Sequence, residues 1–336
     1  MTTILFQIAP QRSTQYADLT AFLAPIELQL SPIRDRLRSI QPGLLGGQQY
    51  LQCEIEGDLS DAQRKELGYF ATTSGYFNYF EQLGTFDGPF LQPIETGFEP
   101  AFPLDLITAR RYKGKTNELF THFMCNLARF SSHFAEKPWS QLRVFDPLAG
   151  GGTTLFVALA LGAEAIGIEQ NKKTTQLTAT FLKQYLQEKR ISYSVKEERL
   201  RKHKAHRWLF NLKKGQTRCT LAQGEIVQTK HLLGGVKQPH LIVCDLPYGI
   251  QHKGGLEDLL LEALPIWEKL LAPGGVLVFS WDATRFSWEK MGSLVAFASD
   301  LHVLDMPPYT TLGHRVDRVI KNRNLIVAQR LLQQTV

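Results

Sequence analysis

The stretch Val144-Phe-Asp-Pro-Leu-Ala-Gly-Gly-Gly-Thr-Thr154 limits the folds open to this chain more than any other. An apolar pair runs into Asp146-Pro147, and three contiguous glycines follow, Gly150, Gly151 and Gly152. A helical pattern then opens at about Thr153, with Leu155, Phe156, Val157, Leu159 and Leu161 on its apolar side. The reading is a buried strand, a tight turn and a helix N-terminus. Glycine at such a turn lets the backbone approach a ligand with no Cβ in the way. About twenty residues later, Ala165-Ile-Gly-Ile-Glu169 reads as a second short strand ending in an acid, placed to hold two ribose hydroxyls.

Strand, glycine turn, helix, strand and acid in this order point to a cofactor that contains a nucleoside. The pattern departs from G-x-G-x-x-G, because the glycines are contiguous and Asp146 precedes them, and no G-x-x-x-x-G-K-[ST] is present. An acid just ahead of the turn repels a pyrophosphate and suits a cation. S-adenosylmethionine, with its ammonium and sulfonium, meets that demand better than a dinucleotide does. The expected cofactor residues are Asp146, Ala149, Gly150, Gly151, Gly152, Thr153 and Glu169. Glu225, at the end of a vaguer third strand over Arg218–Glu225, or the backbone near Gly224, is placed to meet an adenine amino group.

A length of 336 residues suggests about two domains, and an apolar fraction of 43% is enough for a large core. The formal net charge of +6 is unevenly spread. Segment 183–214 holds eleven Lys and Arg against three acids, a local excess of +8, so the rest of the chain is about −2. Within it, Lys202-His-Lys-Ala-His-Arg-Trp-Leu-Phe210 mixes cations with aromatics, as nucleic-acid surfaces do, although a solvated helix face has the same composition. The segment continues a long helical run and is long for a connection between second and third strands, which suggests an insertion. The four cysteines lie far apart and no C-x-x-C or His-x-x-x-His occurs, which argues against zinc and against a disulfide framework. The start lacks a basic, apolar leader, and no long uncharged apolar run occurs. A reducing cytoplasm is the expected location.

Residues 1–104 are expected to form a smaller α+β domain for substrate recognition, ahead of a catalytic domain over 105–336. Thr3–Ile8 and Gln49–Glu56 read as strands, Asp58–Leu67 as a helix, and Gly75-Tyr-Phe-Asn-Tyr-Phe-Glu-Gln-Leu83 as an aromatic strand that either stacks on bases or is core. The proline- and glycine-rich stretch 88–103 reads as the linker. Arg110-Arg-Tyr-Lys-Gly-Lys115 then precedes an amphipathic helix from Asn117 to about Phe134, and its cations either touch phosphate or line a solvated edge. Arg111, Lys113, Lys202, Arg207 and Arg315 are the candidate substrate contacts.

The second informative stretch is His240-Leu-Ile-Val-Cys-Asp-Leu-Pro-Tyr-Gly249, a short buried strand with a stiff, polar, aromatic turn at its carboxyl end. Ligands of open α/β sheets bind at that end. The chemistry that fits is methylation of a planar exocyclic amine, whose lone pair is delocalised into its ring. Asp245 accepts one N–H and the carbonyl of Leu246 the other, which draws the lone pair out of the ring and aims it at a methyl donor. Pro247 stiffens the turn, Tyr248 offers a stacking face, and Gly249 leaves room. Alternating helices and strands follow: a helix over Leu256–Leu271, a strand over Val276–Ser280, a helix from about Thr284 to Ser299, and strands at Leu301–Asp305 and Asn324–Gln329.

These two stretches resemble the motifs of class I S-adenosylmethionine-dependent methyltransferases that modify exocyclic amines, which carry an Asp/Asn-Pro-Pro-Tyr/Phe tetrapeptide after strand four. Asp245-Leu-Pro-Tyr-Gly249, with Thr116-Asn-Glu-Leu-Phe-Thr-His-Phe-Met-Cys-Asn-Leu-Ala128 ahead of the glycine motif, is similar to the tRNA guanine-N2 methyltransferases often joined to a THUMP domain. The resemblance covers about residues 110–330. It implies a doubly wound, seven-stranded Rossmann-like methyltransferase sheet, mostly parallel with an antiparallel last strand. It also implies that Asp146, Gly150, Gly152 and Glu169 line the cofactor, and that Asp245 and Tyr248 handle the base. Leu246 stands where the family has its first proline, and its carbonyl serves the same purpose. The expected function is methyl transfer to a nucleobase amine, guanine N2 in RNA first, with DNA adenine N6 or cytosine N4 as the alternative. A non-catalytic nucleic-acid-binding protein of the same fold is a second alternative.

Overall fold

The structure is a computed structural model that describes residues 1–11, 14–112, 114–200, 205–247, 255–316 and 321–332. The chain divides into two compact units, Met1–Glu99 and Pro100–Val336.

In the first unit, strand β1 (Thr2–Ile8) is followed by helix α1 (Thr14–Leu30), β2 (Leu37–Leu45), β3 (Gln48–Ile55), α2 (Asp61–Leu67), β4 (Thr73–Leu83) and β5 (Phe86–Pro93). The strands form one antiparallel sheet in the order β2-β3-β1-β4-β5. This is a split βαβ repeated as βαββαβ, with β5 added at one edge. Phe6, Leu51 and Tyr76 are buried on one face of the sheet. On the other, Tyr50 meets the Phe77 ring edge-on at 6.3 Å, and Gln7 and Tyr79 follow by alternation. Helix α2 starts on a capping box between Ser60 and Gln63. Glu27, 2% exposed, accepts from the backbone N–H of Ala71 and Thr72 and from the Thr72 hydroxyl, tying α1 to the start of β4. The stretch expected to be a linker is partly β5, so the irregular connection begins only after Pro93.

The second unit continues with α3 (Asp105–Ala109), α4 (Glu118–Phe130), β6 (Arg143–Asp146), α5 (Thr153–Leu161), β7 (Glu164–Glu169), α6 (Lys172–Glu188), β8 (Tyr193–Leu200), β9 (Ala205–Leu212), β10 (Thr217–Gln223) and α7 (Thr229–Leu232). It ends with β11 (Leu241–Asp245), α8 (Gly255–Leu270), β12 (Val276–Asp282), α9 (Trp288–Ala298), β13 (His302–Val303), β14 (His314–Arg315) and β15 (Asn322–Gln329). Along the sheet the order is β13-β15-β12-β11-β6-β7-β10-β9-β8, with β14 paired to β15. Strands β10, β7, β6, β11 and β12 run parallel, and β15 is antiparallel to both β12 and β13. The expected doubly wound core of seven strands is therefore present, with its last strand reversed. From β6 the chain winds to β7 and β10 on one side, then returns to β11 and β12 on the other. That places a topological switch point between β6 and β11, where ligands of such sheets bind.

Both faces of the central strands are covered. Ile242, Leu277 and Ile326 join Leu264 and Trp267 of α8 and Val295 of α9 in one core cluster. Their alternate neighbours Val243, Val278 and Val327 are buried on the other side, where α4 packs on β11 and β12. Helix α4 is capped by Asn117, whose side chain accepts from the N–H of Phe120 at 2.9 Å, and it ends at Phe130 rather than Phe134.

The basic segment is not the helical run expected. After α6 the chain forms the antiparallel hairpin β8–β9, which extends the sheet beyond β10. Val195, Glu197 and Arg199 lie opposite Phe210, Trp208 and His206, a period of two that the charge density conceals. No helix among the described residues is long and apolar enough to cross a membrane.

Candidate active site

Strand β6 ends at Asp146, which is buried at 3% exposure. Its Oδ1 accepts from the N–H of Leu148 at 2.9 Å, and Thr154 also bonds the carboxyl. Burial pushes this carboxyl up to about 7. Those two hydrogen bonds oppose the rise, and the nearby charges of Asp245 and Glu169 add to it. Three acids thus share the carboxyl edge of the adjacent strands β11, β6 and β7.

The glycine turn is held by what touches each glycine. Gly150 and Gly152 have φ of +48° and +90°, left-handed backbone that favours glycine. A Cβ on Gly151 would lie 2.1 Å from the Tyr112 ring, so that aromatic face rests directly on the turn. A Cβ on Gly150 would meet only the Leu148 carbonyl, at 3.8 Å, which leaves this position open to a ligand. The N–H of Ala149 donates to the Ile168 carbonyl at 2.8 Å and ties the turn to β7. Thr153 opens α5, and its hydroxyl pairs with the Tyr112 hydroxyl at 2.6 Å.

Glu169 stands at the carboxyl end of β7. Its two oxygens accept from the N–H groups of Gly150 at 3.0 Å and Asn171 at 2.6 Å. Each oxygen keeps acceptor capacity for a ligand hydroxyl. Glu225 is exposed two residues beyond β10, the neighbour of β7, where it begins a short 3-10 turn.

Asp245 ends β11, next to β6. Thr116 donates to its Oδ2 at 2.6 Å, Ser280 of β12 donates to its Oδ1, and Arg323 Nη2 lies 3.9 Å from Oδ2. Leu246 turns its side chain into the core cluster, and its N–H donates to the Ser280 carbonyl at 2.9 Å. Pro247 is half-buried. Tyr248 and Gly249 lie outside the described residues, as do Lys113 and Lys202.

The structure therefore brings Asp146, the glycine turn, Glu169 and Asp245 to one edge of the sheet. Arg111 and Arg315 are exposed, Arg315 on β14. Arg207 is differently employed. Its guanidinium bonds Glu198 across the hairpin, and the carbonyls of Leu232 and Gly234 at 3.0 and 2.8 Å, so it fastens β9 to the loop after α7. Several other cations of the basic segment are also paired: Lys183 with Glu197, Lys189 with Asp105, and Lys196 with Glu198.

The sequence alone singles out none of Tyr112, Ser280 and Arg323, and gives Arg110 only as one cation of a run that either touches phosphate or lines a solvated edge. Arg110 bonds the Gly151 carbonyl and the Thr178 hydroxyl, both at 2.5 Å, and with Tyr112 makes a brace across the glycine turn. Arg110 adjoins Arg111, which the sequence did mark, and Ser280 closes a legible strand. Nothing local marks Arg323.

No family model matches the chain, and no curated protein matches it. Solved structures similar to it include a precorrin-6y C5,15-methyltransferase from Geobacter metallireducens, 12% identical with a TM-score of 0.38, covering 65% of this chain and 91% of that one. The N-methyltransferase NodS from Bradyrhizobium japonicum is 15% identical with a TM-score of 0.38, covering 63% and 94%. An rRNA methylase from Streptococcus thermophilus is 13% identical with a TM-score of 0.36, covering 57% and 92%. At TM-scores this low, the fold assignment rests on the strand order and the reversed last strand.

Proposed function

We propose that this chain transfers a methyl group from S-adenosylmethionine to the exocyclic amine of a nucleobase, with guanine N2 in RNA as the first candidate. The observation that carries the reading is the carboxylate of Asp245, held between Thr116 and Ser280 at the switch point, one strand from the glycine turn. The residues present suit the cofactor. Glu169 has acceptor capacity for ribose hydroxyls, Gly150 leaves open space, and the acids favour a cation over a pyrophosphate. When bound, S-adenosylmethionine supplies an electrophilic methyl group on a positively charged sulfur.

The rest of the chemistry belongs to the protein. Asp245 accepts one N–H of the target amine and the Leu246 carbonyl accepts the second, localising the nitrogen lone pair for attack. Thr116 and Ser280 already donate to the two Asp245 oxygens, so the acid is presented as an acceptor in a fixed orientation. The amine proton is lost after the new bond forms, with Asp245 the nearest acceptor. A base inside a helix has to leave its stack, at a cost of roughly a few kcal/mol, which is smallest in loops and single strands.

The first unit is assigned to substrate recognition in this reading, with the half-buried Phe77 and Tyr79 of β4 as its candidate stacking residues, while Tyr50 beside them is buried. The test is methyl transfer from labelled cofactor to total tRNA and to duplex DNA, side by side. Labelled tRNA supports the proposal. Labelled DNA with silent RNA transfers it to adenine N6 or cytosine N4, and silence in both, with no cofactor binding by calorimetry, defeats it.

A further inference from the structure

Around Asp245 the chain builds more than an acceptor for one amine. Ser280 is its register partner on β12 and is fully buried. Thr116 reaches it from the segment ahead of α4. Arg323 comes from the antiparallel strand β15, two strands away, opposite Asp282. At 6% exposure its guanidinium is out of water, with its carbon 4.6 Å from the centre of the Phe120 ring. His314, opposite Arg323 on β14, packs its ring edge-on against the same phenyl group at 5.2 Å. Burial drives the His314 imidazole down to about 4, so it is neutral at neutral pH and brings no second cation.

A buried guanidinium is costly unless an anion and further contacts compensate it. Among the described residues Asp245 is one such anion and the Phe120 face one such further contact. Arg323 reaches Asp245 from β15, with Nη2 3.9 Å from Oδ2. We infer that Arg323 is a positioning residue: it fixes the orientation of Asp245 toward the amine without touching substrate or cofactor. This rests on the methyl-transfer reading and adds to it a dependence on a strand remote in sequence from both motifs. Thr116 and Ser280 fix where the two oxygens point, and Arg323 supplies the charge that keeps the carboxylate from turning away.

The test compares full-length Arg323→Met and Arg323→Lys with the parent chain on the RNA substrate. Arg323→Met is expected to lower kcat by about a hundredfold, as misaligned catalytic groups do. KM for RNA and cofactor affinity by calorimetry should stay within about twofold, and Arg323→Lys should recover part of kcat. On an Asp245→Asn background, Arg323→Met should produce little further loss, because its partner charge is already gone. A crystal structure of the methionine variant should show the Asp245 carboxylate rotated from Thr116 and Ser280. An unchanged carboxylate in that structure, or full additivity of the two substitutions, overturns the inference whatever the substrate is. An inactive parent chain would instead count against the methyl-transfer reading, and the structure would still decide the role of Arg323. Should Arg323→Met fail to fold, Arg323→Lys carries the same comparison, and parental kcat in a folded variant with the guanidinium removed sinks the proposal.

Discussion

The two units carry opposite charge. Residues 1–99 hold six Lys and Arg against twelve Asp and Glu, and residues 100–336 hold thirty-two against twenty. Their buried acids differ as well. Glu27 is surrounded by backbone N–H donors and a hydroxyl, so its charge is spent on joining a helix to a strand. Asp146 is raised to about 7 chiefly by burial, with two hydrogen bonds opposing the rise and two neighbouring acids adding to it, so a cation at the switch point would favour its ionised form. A satisfied buried charge is architecture, and one left in like-charged company suits a ligand. By the same contrast, the acidic unit is poorly suited to gripping phosphates.

Four measurements test this contrast. The largest effect is expected from Asp245→Ala, which should lower kcat by about a hundredfold to ten-thousandfold while calorimetry finds cofactor affinity nearly unchanged. Parental turnover in that variant removes Asp245 from the mechanism. In the other unit, Glu27→Ala leaves three donated hydrogen bonds without an acceptor and should cost about 3 kcal/mol. Thermal melts should show the first unit destabilised with the cofactor affinity of the second intact. A loss of cofactor affinity would contradict the separation of roles.

The third measurement uses pH. The folded value of Asp146 is raised from 3.8 to about 7. Its contribution to stability is therefore complete below the unfolded value and is lost as pH rises through about 7. A cationic ligand prefers the ionised acid, so affinity for S-adenosylmethionine should strengthen across the same window, by at most about tenfold per pH unit. Calorimetry at about pH 6 and about pH 8 would reveal a flat response if Asp146 were not coupled to the cofactor. The smallest effect concerns phosphate contacts. Replacing Arg111 and Arg315 together by Gln should reduce the salt slope of RNA binding by about two, and replacing Arg34 and Arg38 in the acidic unit should leave it unchanged. The reverse result would move the nucleic-acid surface to the first unit.

Much of the second unit is legible without coordinates, because its strands are short apolar runs ended by glycine, proline and acid. Val144–Asp146, Ala165–Glu169 and Leu241–Asp245 read as strands for that reason. Elements that face water were harder to see. β2 and β5 are exposed over most of their length and contain Pro42, Pro89 and Pro93, residues that usually break strands and are tolerated at sheet edges. The β8–β9 hairpin is so dense in charge that its alternation is easily taken for a helix face. Arg207 shows the limit of counting cations, since its position near aromatics resembles a nucleic-acid contact and its actual partners are a carboxylate and two carbonyls.

The sequence by itself determined the order of strands and helices around two turns, because glycine conformation, apolar runs and strand-end acids act over a few residues. Tertiary structure alone decided which side chains meet at Asp245. Thr116, Ser280 and Arg323 come from three segments up to 207 positions apart. What joins them is the parallel register of β11 with β12 and the antiparallel return of β15, and pairing between strands is a property of the folded sheet rather than of any local stretch.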